Sequence, residues 1–182
     1  MRSLHYTRPG LDLLDVPEPE LESPTGVKIE IAYASLCGTD LHILSGDFDA
    51  ILGDAPLVPL GHEASGTVLE LGPAATAKGL RVGDPVTFYF NRYCGACHYC
   101  RTGREQFCTD VVATMNFMSD VVVLDEQQVF PLPAESDLLA ASLIEPASVT
   151  GSVPRSHTSA EVRIGWCTST VRSTTAPSSA FV

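Results

Sequence analysis

Four of the chain's six cysteines, Cys94, Cys97, Cys100 and Cys108, fall within fifteen consecutive residues. Their spacing is C-x2-C-x2-C-x7-C, on a segment of about 91–110. Four thiolates close a tetrahedral shell around zinc at ~2.3 Å, and a closed shell is structural because no position is left for substrate. An iron–sulfur cluster is the next reading. The bacterial ferredoxin run has a shorter last gap and a following Pro, whereas here the gap is seven and Thr109 follows. Two disulfides are the third, and a reducing compartment disfavours them.

A second group is dispersed. "CGTDLH", Cys37 to His42, follows one expected strand, and "GHE", Gly61 to Glu63, precedes another. Singly, Cys37 reads as a small buried hydrophobe and His62 as a hydrogen-bonded polar residue. Together they offer the thiolate and imidazole that catalytic zinc takes with a third group and an open position. Glu63, beside His62, and Glu145, in "LIEP", are carboxylates that complete or tune such a shell.

The elements that must hold these residues read as mainly β with a few helices. In "GVKIEIAYASLC", Val27, Ile29, Ile31 and Tyr33 alternate with other residues, the period of a half-buried strand. "GHEASGTVLELG" and "RVGDPVTFYF" are strands bounded by turn residues. "VVVLDEQQVFPLP" reads as strand, turn and a second extended piece. Short strands at this spacing predict a small barrel or sandwich. A helix is expected over "SDLLAASLIEP", capped by Ser136, with Leu139 and Leu143 on one face and Pro146 ending it.

At 182 residues the chain fits one domain, with 45% apolar and 18% charged residues. A formal charge of −11 argues against nucleic acid or an anionic membrane as partner. "MRSLHYTRPG" lacks the apolar stretch of a secretion signal, and no apolar run approaches the ~18 residues of a membrane span. A cytoplasmic protein is expected. The pattern changes at Gly151. Residues 151–182 hold seven Ser and five Thr, no apolar period, and one acid against three Arg, while the first 150 residues hold 21 acids against 8 bases. Residues 151–182 read as an irregular tail.

"CGTDLH", "PLVPLGHEASGTVLELG", "RVGDPVTF", "CGACHYCRTGREQFC" and "LIEPASV" occur in this order. The chain thereby resembles, from about Val27 to Val149, the N-terminal part of the medium-chain zinc-dependent alcohol dehydrogenases. The resemblance implies a GroES-like β-barrel catalytic domain over 1–150 with a zinc lobe at about 91–110. It implies two zincs: one on Cys37 and His62 with Glu63 as ligand or close neighbour, and a structural one on the four clustered cysteines. Glu145 stands where ethanol-type members carry Cys and polyol-type members Glu, which implies a sorbitol-, sugar- or threonine-dehydrogenase-like branch. The implied partner is a small alcohol, polyol or sugar. The implied chemistry is hydride transfer to NAD or NADP from an alcohol whose acidity the metal has raised. In that scheme Thr39 takes the alcohol proton, His42 carries it toward solvent, and Asp40 orients a ligand without touching the metal. Ordinary turn chemistry after a strand is the competing account of Thr39 and His42.

Two departures qualify the likeness. No G-x-G-x-x-G occurs in the sequence, so no nicotinamide-binding residues are assigned. The change at Gly151 is what a truncated or shifted reading of such a gene would give, and an isolated chain of this kind is expected to turn over little or no NAD(P). Between Cys108 and Val121, "TDVVATMNFMSD" is shorter than the family's loop and lacks its glycines. Two other functions compete: a non-catalytic zinc-stabilised binding module, and a zinc lyase or hydrolase needing metal-bound water but no nicotinamide. Cys167, in the tail, matches nothing.

Overall fold

A computed structural model describes residues 1–8 and 10–144. Glu145, Pro146, Cys167 and the residues of the expected tail lie outside the described residues. The strands, in chain order, are β1 (Arg2–Tyr6), β2 (Leu11–Asp15), β3 (Gly26–Ser35), β4 (Val58–Pro59), β5 (Glu63–Leu71), β6 (Pro85–Phe88), β7 (Asn91–Arg92), β8 (Val112–Ala113), β9 (Val121–Asp125) and β10 (Val129–Pro131). The helices are short: α1 (Gly38–Ser45), α2 (Asp49–Leu52), α3 (His98–Arg101) and α4 (Leu138–Ala141). None among the described residues is long and apolar enough to cross a membrane.

The main sheet is antiparallel in the order β10-β6-β5-β3-β9. Its two edge strands, β9 and β10, are separated in sequence only by the 3-10 turn Glu126–Gln128. So short a link between opposite edges requires the sheet to curl round on itself, giving the expected barrel. Gln128 holds the corner. It is buried; its Oε1 accepts from the Asp125 N–H at 3.2 Å, and its Nε2 donates to the Tyr89 and Phe90 carbonyls at 3.2 and 3.1 Å. Lys78 covers the same corner, its Nζ donating to the Gln127 and Val129 carbonyls at 2.8 Å each.

Inside the curl lies an apolar core built around Val27, Ile29, Val68, Val86, Phe88 and Phe117. The alternation read for β3 holds through Ile29. It then fails at Tyr33, which is 47% exposed. The register with β5 shifts between Ile31 and Tyr33, and a one-residue shift turns following side chains to the other face. Gly66 sits opposite Ile31, where a Cβ would collide with the Glu30 carbonyl. A second sheet, β2-β1-β4, lies over a smaller core of Tyr6, Ile43, Val58 and Leu60, and β7 pairs with β8 beside the cysteine segment.

The helix expected from Ser136 starts one residue later, and its expected end at Pro146 lies outside the described residues. Its cap is Asp137, not Ser136: Asp137 Oδ1 accepts from the Leu139 and Ala140 N–H groups at 2.9 and 3.4 Å. Leu139 and Leu143, expected on one face, are both exposed, while Ala141 and Ser142 are buried. A single turn seats on the sheet through small polar contacts. Ser142 Oγ meets Ser35 Oγ at 2.7 Å, and Thr87 Oγ1 donates to the Ala141 carbonyl at 3.4 Å.

Candidate metal centres

Sheet register brings the dispersed residues together. Ser35 at the end of β3 pairs with Glu63 at the start of β5. Cys37 lies just beyond the one, and His62 just before the other. One ligand atom from each of Cys37, His62 and Glu63 lies within 4.8 Å of the other two. His62 and Glu63 are buried, and His62 packs its ring edge-on to Phe90 with centroids 5.4 Å apart.

Asp40, fully buried, ties the two segments. On the first turn of α1 it reaches back so that Oδ2 accepts from the Cys37 N–H at 2.9 Å, half of a capping box. Its Oδ1 accepts from the Gly61 N–H at 3.2 Å. The His62 ring nitrogen Nδ1 stands 3.8 Å from Asp40 Oδ1, too far for a hydrogen bond. Asp40 therefore positions the backbones on either side of the cluster. Asp40→Asn keeps the shape but supplies one acceptor where two are needed, leaving a buried N–H facing an amide. It is expected to lower stability by about 2–3 kcal/mol, read from chemical unfolding against the parent chain.

The cluster's electrostatics suit a cation. Burial pushes the Cys37 thiol above its ordinary range, and the neighbouring Glu63 carboxylate adds to the shift. Burial likewise raises the Glu63 carboxyl. The buried His62 Nδ1 has no hydrogen-bond partner among the described residues. Two acids held toward their protonated forms beside an unpartnered imidazole nitrogen form a donor set short of positive charge. A divalent ion of the zinc type fits it, taking thiolate, imidazole and carboxylate together.

The structure differs in how it treats Thr39 and His42. Thr39 lies beside the cluster, Oγ1 3.9 Å from Cys37 Sγ. His42 is exposed on α1, its Nδ1 2.7 Å from Asp47 Oδ2, and this contact holds the Asp47 carboxyl below its usual range. Glu145 lies outside the described residues.

The four clustered cysteines converge independently. Cys97 and Cys100 sulfurs are 3.5 Å apart, Cys94 and Cys108 3.6 Å, and Cys94 and Cys100 3.9 Å. Sulfurs at ~2.3 Å from a tetrahedral zinc would stand ~3.8 Å apart. Disulfide sulfurs would stand at ~2.05 Å, so these cysteines are free. Backbone N–H groups point at the sulfurs: Cys97 N to Cys94 Sγ at 3.3 Å, Cys100 N to Cys97 Sγ at 3.5 Å, and Cys94 N to Cys108 Sγ at 3.5 Å. Such donors favour thiolates, and the set fits a closed zinc shell.

Two positions escaped the sequence reading. Gly61 takes φ +89°, and its carbonyl accepts from the Asn116 and Phe117 N–H groups at 3.0 and 3.1 Å. The crossing segment lacks glycine, and Asn116 itself takes φ 145°, with its Oδ1 accepting from Ser3 Oγ at 2.7 Å. Asn tolerates positive φ better than most residues. The signal was available at Gly61, immediately before His62; at Asn116 only the loss of the expected glycines marked it.

Residues 23–134 match the alcohol dehydrogenase GroES-like domain family. A protein of Arthroderma otae named probable D-xylulose reductase A is 35% identical over 157 residues, covering 83% of this chain and 42% of that protein. The L-threonine 3-dehydrogenase of Pyrococcus horikoshii is 33% identical over 154 residues, covering 80% of this chain and 43% of its own. The crystal structure of galactitol-1-phosphate dehydrogenase from Escherichia coli matches with a TM-score of 0.72 at 26% identity, covering 82% of this chain and 43% of that one. The chain thus spans a little over two fifths of the length of these relatives.

Proposed function

The chain belongs to the alcohol dehydrogenase GroES-like domain family, and on that premise we propose that it is the metal-holding, alcohol-binding part of a zinc-dependent alcohol or polyol dehydrogenase. Members of the family are NAD(P)-dependent oxidoreductases. The observation that carries the reading is the convergence of Cys37, His62 and Glu63 on one buried, cation-poor point. Relatives named for xylulose, threonine and galactitol phosphate favour a small hydroxyl-bearing substrate.

Cys37 and His62 would hold the catalytic ion, with Glu63 and Glu145 as the carboxylates available to it; Cys94, Cys97, Cys100 and Cys108 would hold a second, structural one. Bound in those places, zinc supplies Lewis acidity toward an alcohol oxygen and NAD or NADP the hydride acceptor. This chain's own residues supply position and proton handling. Asp40 fixes the approach of the Cys37 and His62 segments through two backbone N–H groups. Thr39 Oγ1, beside the cluster, is the group to accept the substrate hydroxyl proton. His42, one turn further along α1, donates Nδ1–H to Asp47, which leaves Nε2 as the atom that passes a proton to solvent.

Metal analysis of the purified chain tests the reading, since no G-x-G-x-x-G occurs in the sequence and turnover alone would not separate the functions. Two zincs per chain are expected. Cys37→Ser should remove one of them while changing stability by no more than about 1 kcal/mol, because the half-buried thiol contributes little packing. A single zinc that survives Cys37→Ser would instead favour the zinc-stabilised binding module.

A further inference from the structure

Outside the Cys37 cluster, the densest reactive chemistry is in the cysteine lobe. Of its close sulfur contacts, the two shortest, Cys97–Cys100 at 3.5 Å and Cys94–Cys108 at 3.6 Å, use each cysteine once. The third contact, Cys94–Cys100 at 3.9 Å, is longer and would leave Cys97 to pair with Cys108, whose sulfurs lie only within 4.8 Å of each other. All four residues are half-buried rather than sealed in a core, so small solutes reach them. The first pair closes a C-x-x-C across the start of α3. The second ties the two ends of the lobe, the same restraint that a shared metal would supply. Among the described residues Cys37 has no such companion: its neighbours in the candidate centre are His62 and Glu63.

Building on the reading that the lobe holds zinc, we propose that the lobe is a reversible oxidative clasp. Hydrogen peroxide converts it to the disulfides Cys97–Cys100 and Cys94–Cys108, the ion is released, and the lobe remains cross-linked. In each pair one sulfur attacks the peroxide and the O–O bond breaks, giving a sulfenic acid and water. The partner sulfur then displaces the hydroxyl as a second water, and the S–S bond forms. Each pair loses two electrons and one peroxide is reduced to two waters. Two peroxides and four protons taken up therefore account for four thiolates, two disulfides, four waters and one freed dication. The sulfurs need only close from about 3.5 Å to about 2.05 Å by side-chain rotation. A dithiol reductant and zinc would restore the starting state.

The test uses the full chain after zinc loading, with hydrogen peroxide as oxidant, a chromogenic chelator to read released zinc, and mass spectrometry. One zinc per chain should appear as four lobe thiols disappear. Tryptic cleavage after Arg92, Arg101 and Arg104 places Cys94, Cys97 and Cys100 on one peptide and Cys108 on another. Fragmentation should show Cys108 joined to Cys94 and the remaining two joined within their peptide. Dithiothreitol with added zinc should reverse both changes, and Cys108→Ser should leave the Cys97–Cys100 bond forming. Zinc retained while Cys37 oxidises, sulfinic acids in place of disulfides, or Cys108 joined to Cys97 or Cys100 would each overturn the proposal. Metal analysis before oxidant is added separates failure of the underlying zinc reading from failure of the clasp.

Discussion

Cys100→Ser is expected to strip one zinc per chain and to unfold residues 91–110 while the barrel stays folded. The reason lies in what the lobe lacks. No residue from Asn91 to Asp110 is buried, and Phe107, its largest apolar side chain after the tyrosines, is 58% exposed. With no hydrophobic core, the segment is organised by its four sulfurs, and metal binding there is folding free energy, on the order of 10 kcal/mol for small structural zinc units. Serine offers no thiolate, and a three-sulfur shell leaves the ion open to water. Limited proteolysis after Arg101 and Arg104, with zinc counted on the same sample, reads the effect; an uncleaved lobe with zinc retained would refute it.

The same lobe predicts a pH dependence. Without metal, the Cys100 N–H and neighbouring thiols bring Cys97 down to about 6, whereas burial and neighbouring thiols push Cys100 up to about 12. At neutral pH the metal-free lobe therefore keeps a proton on Cys100 that zinc must displace. Zinc uptake should release protons into weakly buffered solution. Affinity should strengthen as pH rises and fall away as pH drops and further thiols protonate.

Gly61→Ala is the second large effect. At φ +89° a side chain is strained, and here it would also meet solid structure, with a Cβ 2.6 Å from the Met118 backbone nitrogen and 3.1 Å from the Phe117 carbonyl carbon. Neither atom can yield without moving the segment that donates to the Gly61 carbonyl. Strain and displacement together are expected to cost about 3 kcal/mol. The displacement should also pull His62 from Cys37, lowering the Cys37-dependent zinc content. Gly79→Ala is the control: φ is +66° but nothing among the described residues lies within 4 Å of its Cβ, so only strain of about 1 kcal/mol is expected. Equal losses at the two glycines would show that the Met118 contact does not matter.

Much of this was legible in the sequence because it is local. The spacing of Cys94, Cys97, Cys100 and Cys108 is a property of one short segment, so its sulfurs converge whatever the rest of the chain does. The start of β3 and the extents of β5 and β9 follow from alternation and β-branched residues within each strand, and a barrel follows from many such strands. Cys37, His62 and Glu63 could be nominated by type and by position at strand ends. Their meeting could not be read from type alone, because it depends on the pairing of Ser35 with Glu63 across separate strands.

The tertiary structure decided the rest, through contacts between residues far apart in sequence. The shift between Ile31 and Tyr33 turned Tyr33 outward, since register belongs to a pair of strands and not to either one. Asp137 displaced Ser136 as cap, and Ala141 and Ser142, not Leu139 and Leu143, became the buried residues, because a one-turn helix resting on Ser35 and Thr87 has room only for small side chains. Asp40 acts on Cys37 from within its own helix turn, as its spacing allows. Its hold on Gly61 exists only because β3 and β5 lie side by side, and that long-range hydrogen bond joins two stretches of sequence into one centre.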